Sequence, residues 1–120
     1  MQRFSVAALA LALTCSAASA AELPQYVKGP VSGHVYDCQQ AKQKAPKPEA
    51  YVTAGDLDGD GKPDYVVDIA KGCQSNRDLY CNDEGCLIDI FLSSQELQMG
   101  SMKVKSFKIG RHGTKPALIV

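Results

Sequence analysis

Four aspartates occupy the first, third, fifth and ninth positions of the nine-residue stretch 56–64, namely Asp56, Asp58, Asp60 and Asp64. Carboxylates held a few ångströms apart repel one another, so a turn that gathers them is unfavourable without a counter-charge. A hard divalent cation supplies that charge, and calcium accepts roughly six to eight oxygen ligands in a flexible shell. The spacing therefore predicts that residues 56–64, here called the acidic loop, bind calcium.

The other residues of the acidic loop agree with this prediction. Gly61 stands at the sixth position, where a sharp turn requires a positive φ that glycine adopts without steric cost. Lys62 stands at the seventh position, where a calcium loop usually offers its backbone carbonyl. The twelfth position is Val67, within a β-branched run, whereas an EF-hand needs a glutamate there and helices on both sides. We therefore expect the loop to join two strands.

The stretch from Gly55 to Asp68 resembles the calcium loops of the FG-GAP and VCBS type, which occur in integrin α-subunit propellers and in many secreted bacterial proteins. The segment 80–92 is similar to one in small exported bacterial proteins that carry a single DxDxDGxxD loop. The resemblance implies a structural calcium ion and no catalytic residues, with the ion bound by Asp56, Asp58, Asp60, the Lys62 carbonyl and Asp64. A propeller needs several blades, and the chain has one acidic loop, so a complete propeller is excluded.

The N-terminal residues have the features of a secretory signal peptide. Arg3 provides a positive start, residues 4–13 are apolar, and small residues precede Ala21. We predict a signal peptide over residues 1–20 and a single domain over residues 21–120, with no transmembrane segment and a periplasmic or secreted location. Lipidation of Cys15 is the alternative, but the residue usual before a lipidated cysteine is small, and here it is a threonine.

The charge of the chain argues against nucleic acid as a partner. The sequence of 120 residues holds 13 basic and 13 acidic residues. Removal of the signal peptide takes away Arg3 and no acidic residue, so the remaining domain has a net charge near −1. No basic surplus is left to neutralise phosphates. A domain of this length has a marginal hydrophobic core, and cross-links would help it to fold.

The cysteines that follow the predicted cleavage site are Cys38, Cys73, Cys81 and Cys86. In an exported chain they predict two disulfides, for which three pairings exist. Cys73 leaves one predicted strand and Cys86 enters the next, so we favour Cys73–Cys86 with Cys38–Cys81, while Cys73–Cys81 remains open. A zinc site is the alternative, but the gaps between the cysteines are irregular and the histidines are distant in sequence.

The hydrophobic pattern predicts a mainly β fold, in which a small antiparallel sheet carries the calcium loop between two strands. One short helix could be present in addition, and disulfides would staple the domain. Residues 22–30 are expected to form an extended arm, and residues 32–43 a strand that continues as a short helix. The remaining strands are expected over residues 50–55, 65–69, 86–92, 104–109 and 117–120, with 65–69 and 86–92 paired as a hairpin.

These observations favour an exported calcium-binding domain that acts as a binding or envelope-structural module, with a protein or glycan ligand that the sequence does not name. The alternative is a small cell-envelope hydrolase or hydrolase inhibitor. A phosphatase site at Asp56 and Asp58 would need a small hydroxyl residue where Asp60 stands. The pattern therefore favours a protein that is not an enzyme, of unknown oligomeric state.

A glycosidase would need two carboxylates that face each other across a cleft. Asp68, Asp89 and Glu84 are candidates only because they are acidic. Alternation along the predicted strands places Asp68 and Asp89 on outward faces.

Overall fold

An antiparallel sheet carries the acidic loop at one end, between its first two strands. A computed structural model describes residues 23–120, and the predicted signal peptide therefore lies outside the described residues. The helices are α1 (Gln25–Gln40) and α2 (Gln74–Tyr80), and single 3₁₀ turns cover Pro48–Ala50 and Ile69–Lys71. The strands are β1 (Val52–Gly55), β2 (Asp64–Asp68), β3 (Cys81–Asn82), β4 (Gly85–Leu92), β5 (Leu97–Val104), β6 (Lys108–His112) and β7 (Lys115–Ile119).

The central strand of the sheet is β4. It pairs with β2 along one edge and with β5 along the other, so that Asp89 lies between Val67 and Ser101. Strand β1 pairs with β2, and the short β3 pairs with the start of β4. Strands β6 and β7 form a separate two-stranded hairpin. The prediction of an antiparallel sheet with the acidic loop between two strands is confirmed, with two helices in addition.

The helix α1 covers one face of the sheet, where the sequence led us to expect an extended arm over residues 22–30 and, over residues 32–43, a strand that continues as a short helix. The arm and the strand were wrong, because Pro30 and two glycines lower the helix propensity of this segment. Val27, Val31, Val35 and Cys38 nevertheless recur at helical spacing, and Val27 and Val31 are 0% and 1% exposed. Burial of this stripe against the sheet stabilises the helix more than its propensity destabilises it.

The hydrophobic core on the helix side of the sheet is the larger of the two cores. Its buried members are Leu23, Val27, Val31, Tyr51, Val52, Tyr65, Val67, Ile69 and Phe91. The Tyr26 ring lies across the edge of this core, with its centroid 6.4 Å from those of Tyr65 and Phe91. Truncation of a large side chain here would cost about 3–5 kcal/mol.

The β6–β7 hairpin covers the opposite face of the sheet. Val66, Ile88 and Val104 are buried there against half-buried side chains, which are Leu57, Phe107, Ile109 and Leu118. The predicted strand over residues 104–109 is wrong, because Val104 ends β5 and the chain then crosses to the second sheet before β6 begins. A Cβ on Gly55 would lie 2.9 Å from Ile109 Cγ2, so glycine permits this close packing of the hairpin.

The four cysteines form two disulfides, as expected, but the favoured pairing was wrong. Cys38–Cys73 joins the end of α1 to the residue that precedes α2, and Cys81–Cys86 joins directly opposed residues of β3 and β4. The reason is that α1 is longer than the short helix expected there and places Cys38 beside the residue that precedes α2. A crosslink that closes a loop of 35 residues is expected to stabilise the domain by roughly 3–4 kcal/mol.

Within residues 23–120, no helix is both long enough and apolar enough to cross a membrane.

Candidate metal centre

The acidic loop brings its four aspartates together. Each of Asp56, Asp58, Asp60 and Asp64 offers one carboxylate oxygen, and these oxygens all lie within 4.8 Å of one another. The strands on either side enforce this proximity, because Gly55 at the end of β1 is paired with Asp64 at the start of β2. A set made only of carboxylate oxygens suits a hard cation.

Asp56 organises the backbone of the loop. Its Oδ1 accepts hydrogen bonds from the N–H groups of Asp58 at 3.2 Å and Gly59 at 2.7 Å, and its Oδ2 accepts one from Gly61 at 3.0 Å. Gly59 and Gly61 have φ values of +81° and +79°, which are accessible to glycine without strain. A carboxylate has about four lone-pair sites, so these bonds leave Asp56 able to bind a cation.

Asp58 and Asp60 are the exposed members of the cluster. Asp58 Oδ1 accepts from the Asp60 N–H at 3.3 Å, and Asp60 Oδ1 accepts from the Lys62 N–H at 2.8 Å. For Asp58, desolvation is outweighed by contacts with the Asp60 backbone, the Asp60 side chain, the Ser94 hydroxyl and the Asp56 side chain, which lower the pKa of its carboxyl below the ordinary value.

Asp64 is 0% exposed and connects the loop to the rest of the sheet. Its Oδ2 accepts from the Leu57 N–H at 2.8 Å, and its Oδ1 accepts from the N–H and the hydroxyl of Ser93 at 2.9 and 3.1 Å. The Ser94 hydroxyl donates to Asp58 Oδ2 at 3.3 Å. Two serines of the β4–β5 turn thus support the cluster. Sequence reasoning gave them no such role, since they lie about thirty residues away.

Within residues 23–120, none of the four loop aspartates forms a salt bridge with a lysine or arginine. Lys62 is exposed, and its backbone N–H donates to Asp60. The part of Lys62 in binding a cation through its carbonyl stays a prediction. The described residues therefore place four carboxylates together without a salt bridge, and a bound cation would relieve their mutual repulsion.

Asp89 lies on the helix side of the sheet and is only 7% exposed, so its expected outward position was wrong. The Ser101 hydroxyl donates to Asp89 Oδ1 at 2.6 Å, and His34 Nε2 lies 3.8 Å from Asp89 Oδ2. Burial raises the pKa of Asp89, but the contacts with His34 and Ser101 outweigh burial and lower it. Because the β6–β7 hairpin covers the other face, both faces of β4 are inside, and alternation alone could not identify an outward one.

The three acidic residues that were considered for a glycosidase have different surroundings. Asp68 is opposite Ile88 in the register and lies on the hairpin side, whereas Asp89 lies on the helix side. Asp68 Oδ1 accepts from the Ala70 N–H at 3.2 Å and caps the 3₁₀ turn that follows β2. Glu84 is exposed in the β3–β4 turn. The sheet therefore separates Asp68 from Asp89, and these two do not form a carboxylate pair.

Comparisons of the chain with protein-family models, with curated proteins and with solved structures gave no match. The resemblance to the FG-GAP and VCBS loops therefore depends on the residues of the acidic loop and on its position between two antiparallel strands.

Proposed function

We propose that the chain is an exported calcium-binding domain in which the ion is structural. The observation that carries the proposal is the convergence of four aspartate oxygens within 4.8 Å of one another, in a loop that glycines allow to turn tightly. Asp56, Asp58, Asp60 and Asp64 would hold the ion, with the Lys62 carbonyl as a further oxygen ligand. The ion would supply the positive charge that the cluster lacks.

The donor set favours calcium over the other common divalent ions. Zinc and copper prefer nitrogen and sulfur ligands, and within the cluster all side-chain donors are oxygen atoms. Magnesium is smaller and loses its hydration water reluctantly, so an all-protein cage suits it poorly. We expect calcium to bind with a dissociation constant of roughly 10⁻⁴ to 10⁻³ M, the range of extracellular calcium modules.

The neighbours of the loop support a structural role. Asp58 and Asp64 are hydrogen-bonded to the β4–β5 turn, and Leu57 packs into the core under the hairpin. A Cβ on Gly59 would lie 3.8 Å from Pro116 Cδ, so the loop also lies against β7. Calcium that fixes the loop would in this way also fix the turn and the hairpin.

We further propose that the domain is a binding or envelope-structural module and not an enzyme, and that it works in the periplasm or outside the cell. Two disulfides are typical of proteins from oxidising compartments. Asp68 and Asp89 are engaged in capping and in buried hydrogen bonds, which supports structural roles for both. The ligand of such a module would be a protein or a glycan.

The proposal is tested by thermal unfolding of the protein with calcium and with a chelator. Binding to the folded state alone stabilises it by about 2.7 kcal/mol at a hundredfold excess of calcium over the dissociation constant. We expect the melting temperature to rise with calcium in the wild type and to stay unchanged in Asp58→Ala. Asp83→Ala is the matched control, because Asp83 is an exposed aspartate in the β3–β4 turn. An equal calcium response in Asp58→Ala and the wild type would contradict the proposal.

A further inference from the structure

An open cavity of about 520 Å³ lies between the β5–β6 connection and strands β1 and β2. Its volume falls in the range of roughly 300–1,000 Å³ that is usual for small-molecule sites. Thr53 and Ala54 border it on the sheet, and Phe107 and Ile109 border it on the opposite side. The acidic loop contributes none of the residues that line it.

A second cavity of about 100 Å³ continues the first one along the face of the sheet. The two share four lining residues, which are Asp68, Lys105, Ser106 and Phe107. The second cavity ends against Ile88 and Val104, which are buried in the core under the hairpin. Together they form a groove with a larger outer part and a smaller inner part, and both parts are lined by polar and apolar residues.

The outer part of the groove carries an excess of positive charge. Lys71, Lys105 and Lys108 line it, with Asp68 as its sole acidic residue. Burial raises the pKa of Asp68, and the charge of Lys71 partly opposes that rise, so these two groups act on each other. No salt bridge joins Lys105 or Lys108 to an acidic residue within the described part of the chain. Two lysines thus stand at the groove without a partner of opposite charge.

The arrangement matches a ligand with two unlike ends. An anionic group placed near Lys105 and Lys108 would be attracted by both ammonium groups, and the Ser106 hydroxyl beside them is a further donor. An apolar tail could pass Phe107 and reach the inner end of the groove at Ile88. Each methylene removed from water strengthens binding by roughly fourfold.

We propose that this groove binds a small organic anion with an apolar tail, such as a medium-chain carboxylate. The anionic group lies between Lys105 and Lys108, and the tail extends along Phe107 toward Ile88. The site is separate from the acidic loop, and the inference holds whether or not the loop binds calcium.

Octanoate is the probe that tests the proposal, with acetate and octylammonium as matched ligands. Acetate has the charge without the tail, and octylammonium has the tail with the opposite charge. Two-dimensional amide NMR spectra of the disulfide-bonded protein should shift with octanoate at residues 105–109 and at Thr53. We expect octanoate to bind at least tenfold more tightly than either matched ligand, and higher salt to weaken it because the lysines are exposed.

Two variants locate the site. The double substitution Lys105→Gln and Lys108→Gln should weaken octanoate binding at least tenfold. The double substitution Lys103→Gln and Lys115→Gln is the control, because both lysines are exposed and neither lines the groove, and it should change binding less than twofold. Thr53→Phe keeps every charge and fills the outer part of the groove, so it should also weaken binding. Thermal unfolding of each variant shows whether it remains folded.

Several outcomes would overturn the proposal. Octylammonium that binds as tightly as octanoate would show that the lysines do not favour the anionic ligand. Equal losses in the two double variants would show a nonspecific charge effect, and shifts confined to other residues would place any binding elsewhere. Binding to phosphatidylglycerol vesicles without binding of free octanoate would point to a membrane surface and contradict a small-molecule site.

Discussion

Asp89 lies beneath α1 with two partners of its own, whereas the four aspartates of the acidic loop lie at the end of the sheet and form no salt bridge with a lysine or arginine among residues 23–120. Asp89 accepts from Ser101 and faces His34, so the fold itself satisfies its charge. The loop carboxylates accept mainly backbone N–H groups, which organise the turn but leave four like charges together. The difference indicates that Asp89 belongs to the core, and it supports our proposal that the loop binds a cation.

We expect the largest loss of stability from Asp64→Ala. Asp64 is buried and accepts from Leu57 N–H and from two groups of Ser93, all of which would lose their partner. An unsatisfied buried donor costs about 1–3 kcal/mol, so we expect a loss on the order of 3 kcal/mol or more in urea unfolding with chelator present. The calcium response should disappear as well.

Asp60→Ala is the matched control for this prediction. Asp60 belongs to the same cluster, but it is exposed and accepts one N–H, that of Lys62, which water can satisfy. In chelator we expect a change within about 0.5 kcal/mol. Equal destabilisation by the two variants in chelator would show that Asp64 does not join the loop to the sheet as described.

The next effect in size concerns Asp89→Ala. The substitution removes the acceptor of the Ser101 hydroxyl and the carboxylate that faces His34, so we expect a loss of about 1–3 kcal/mol in urea unfolding. The rise in melting temperature on adding calcium should remain as large as in the wild type. Loss of that rise in Asp89→Ala would show that calcium binding by the loop is not independent of Asp89.

The smallest effect is the acid dependence of stability that Asp89 contributes. Its folded pKa is lowered relative to an unfolded value of about 3.9, so the unfolded state binds more protons there. The contribution is therefore present above the unfolded pKa and is lost as pH falls through the folded pKa. Urea unfolding in chelator from pH 6 to pH 2 should show a shallower acid loss in Asp89→Ala than in the wild type. An equally steep loss would assign the acid sensitivity to other groups.

The acidic loop could be predicted from the sequence because its donors lie within nine residues. The positions of the aspartates and of Gly59 and Gly61 determine the turn locally, and both glycines have positive φ. The flanking strands were also predictable, and β-branched residues, which favour strands, follow the loop directly on its C-terminal side. The support from Ser93 and Ser94 depends on the pairing of β4 with its neighbours, and no local pattern shows it.

The helix α1 and the disulfide pairing could not be predicted in the same way. Pro30 and the glycines around it obscured a stripe of valines whose burial stabilises the helix. Without that helix, the proximity of Cys38 to Cys73 had no local signal. The burial of Asp89 was missed for a related reason, because the C-terminal hairpin covers the other face of β4 and leaves neither face to solvent.

Calorimetric titration of the chelator-stripped, disulfide-bonded protein with calcium tests directly whether the acidic loop binds the ion. We expect one ion per chain, a dissociation constant of roughly 10⁻⁴ to 10⁻³ M, and weaker binding of magnesium and zinc. Asp58→Ala should abolish the binding heat, and Asp83→Ala should leave it unchanged. A folded wild-type protein that shows no calcium binding at millimolar concentrations, or that prefers zinc, would show that the acidic loop is not a calcium site.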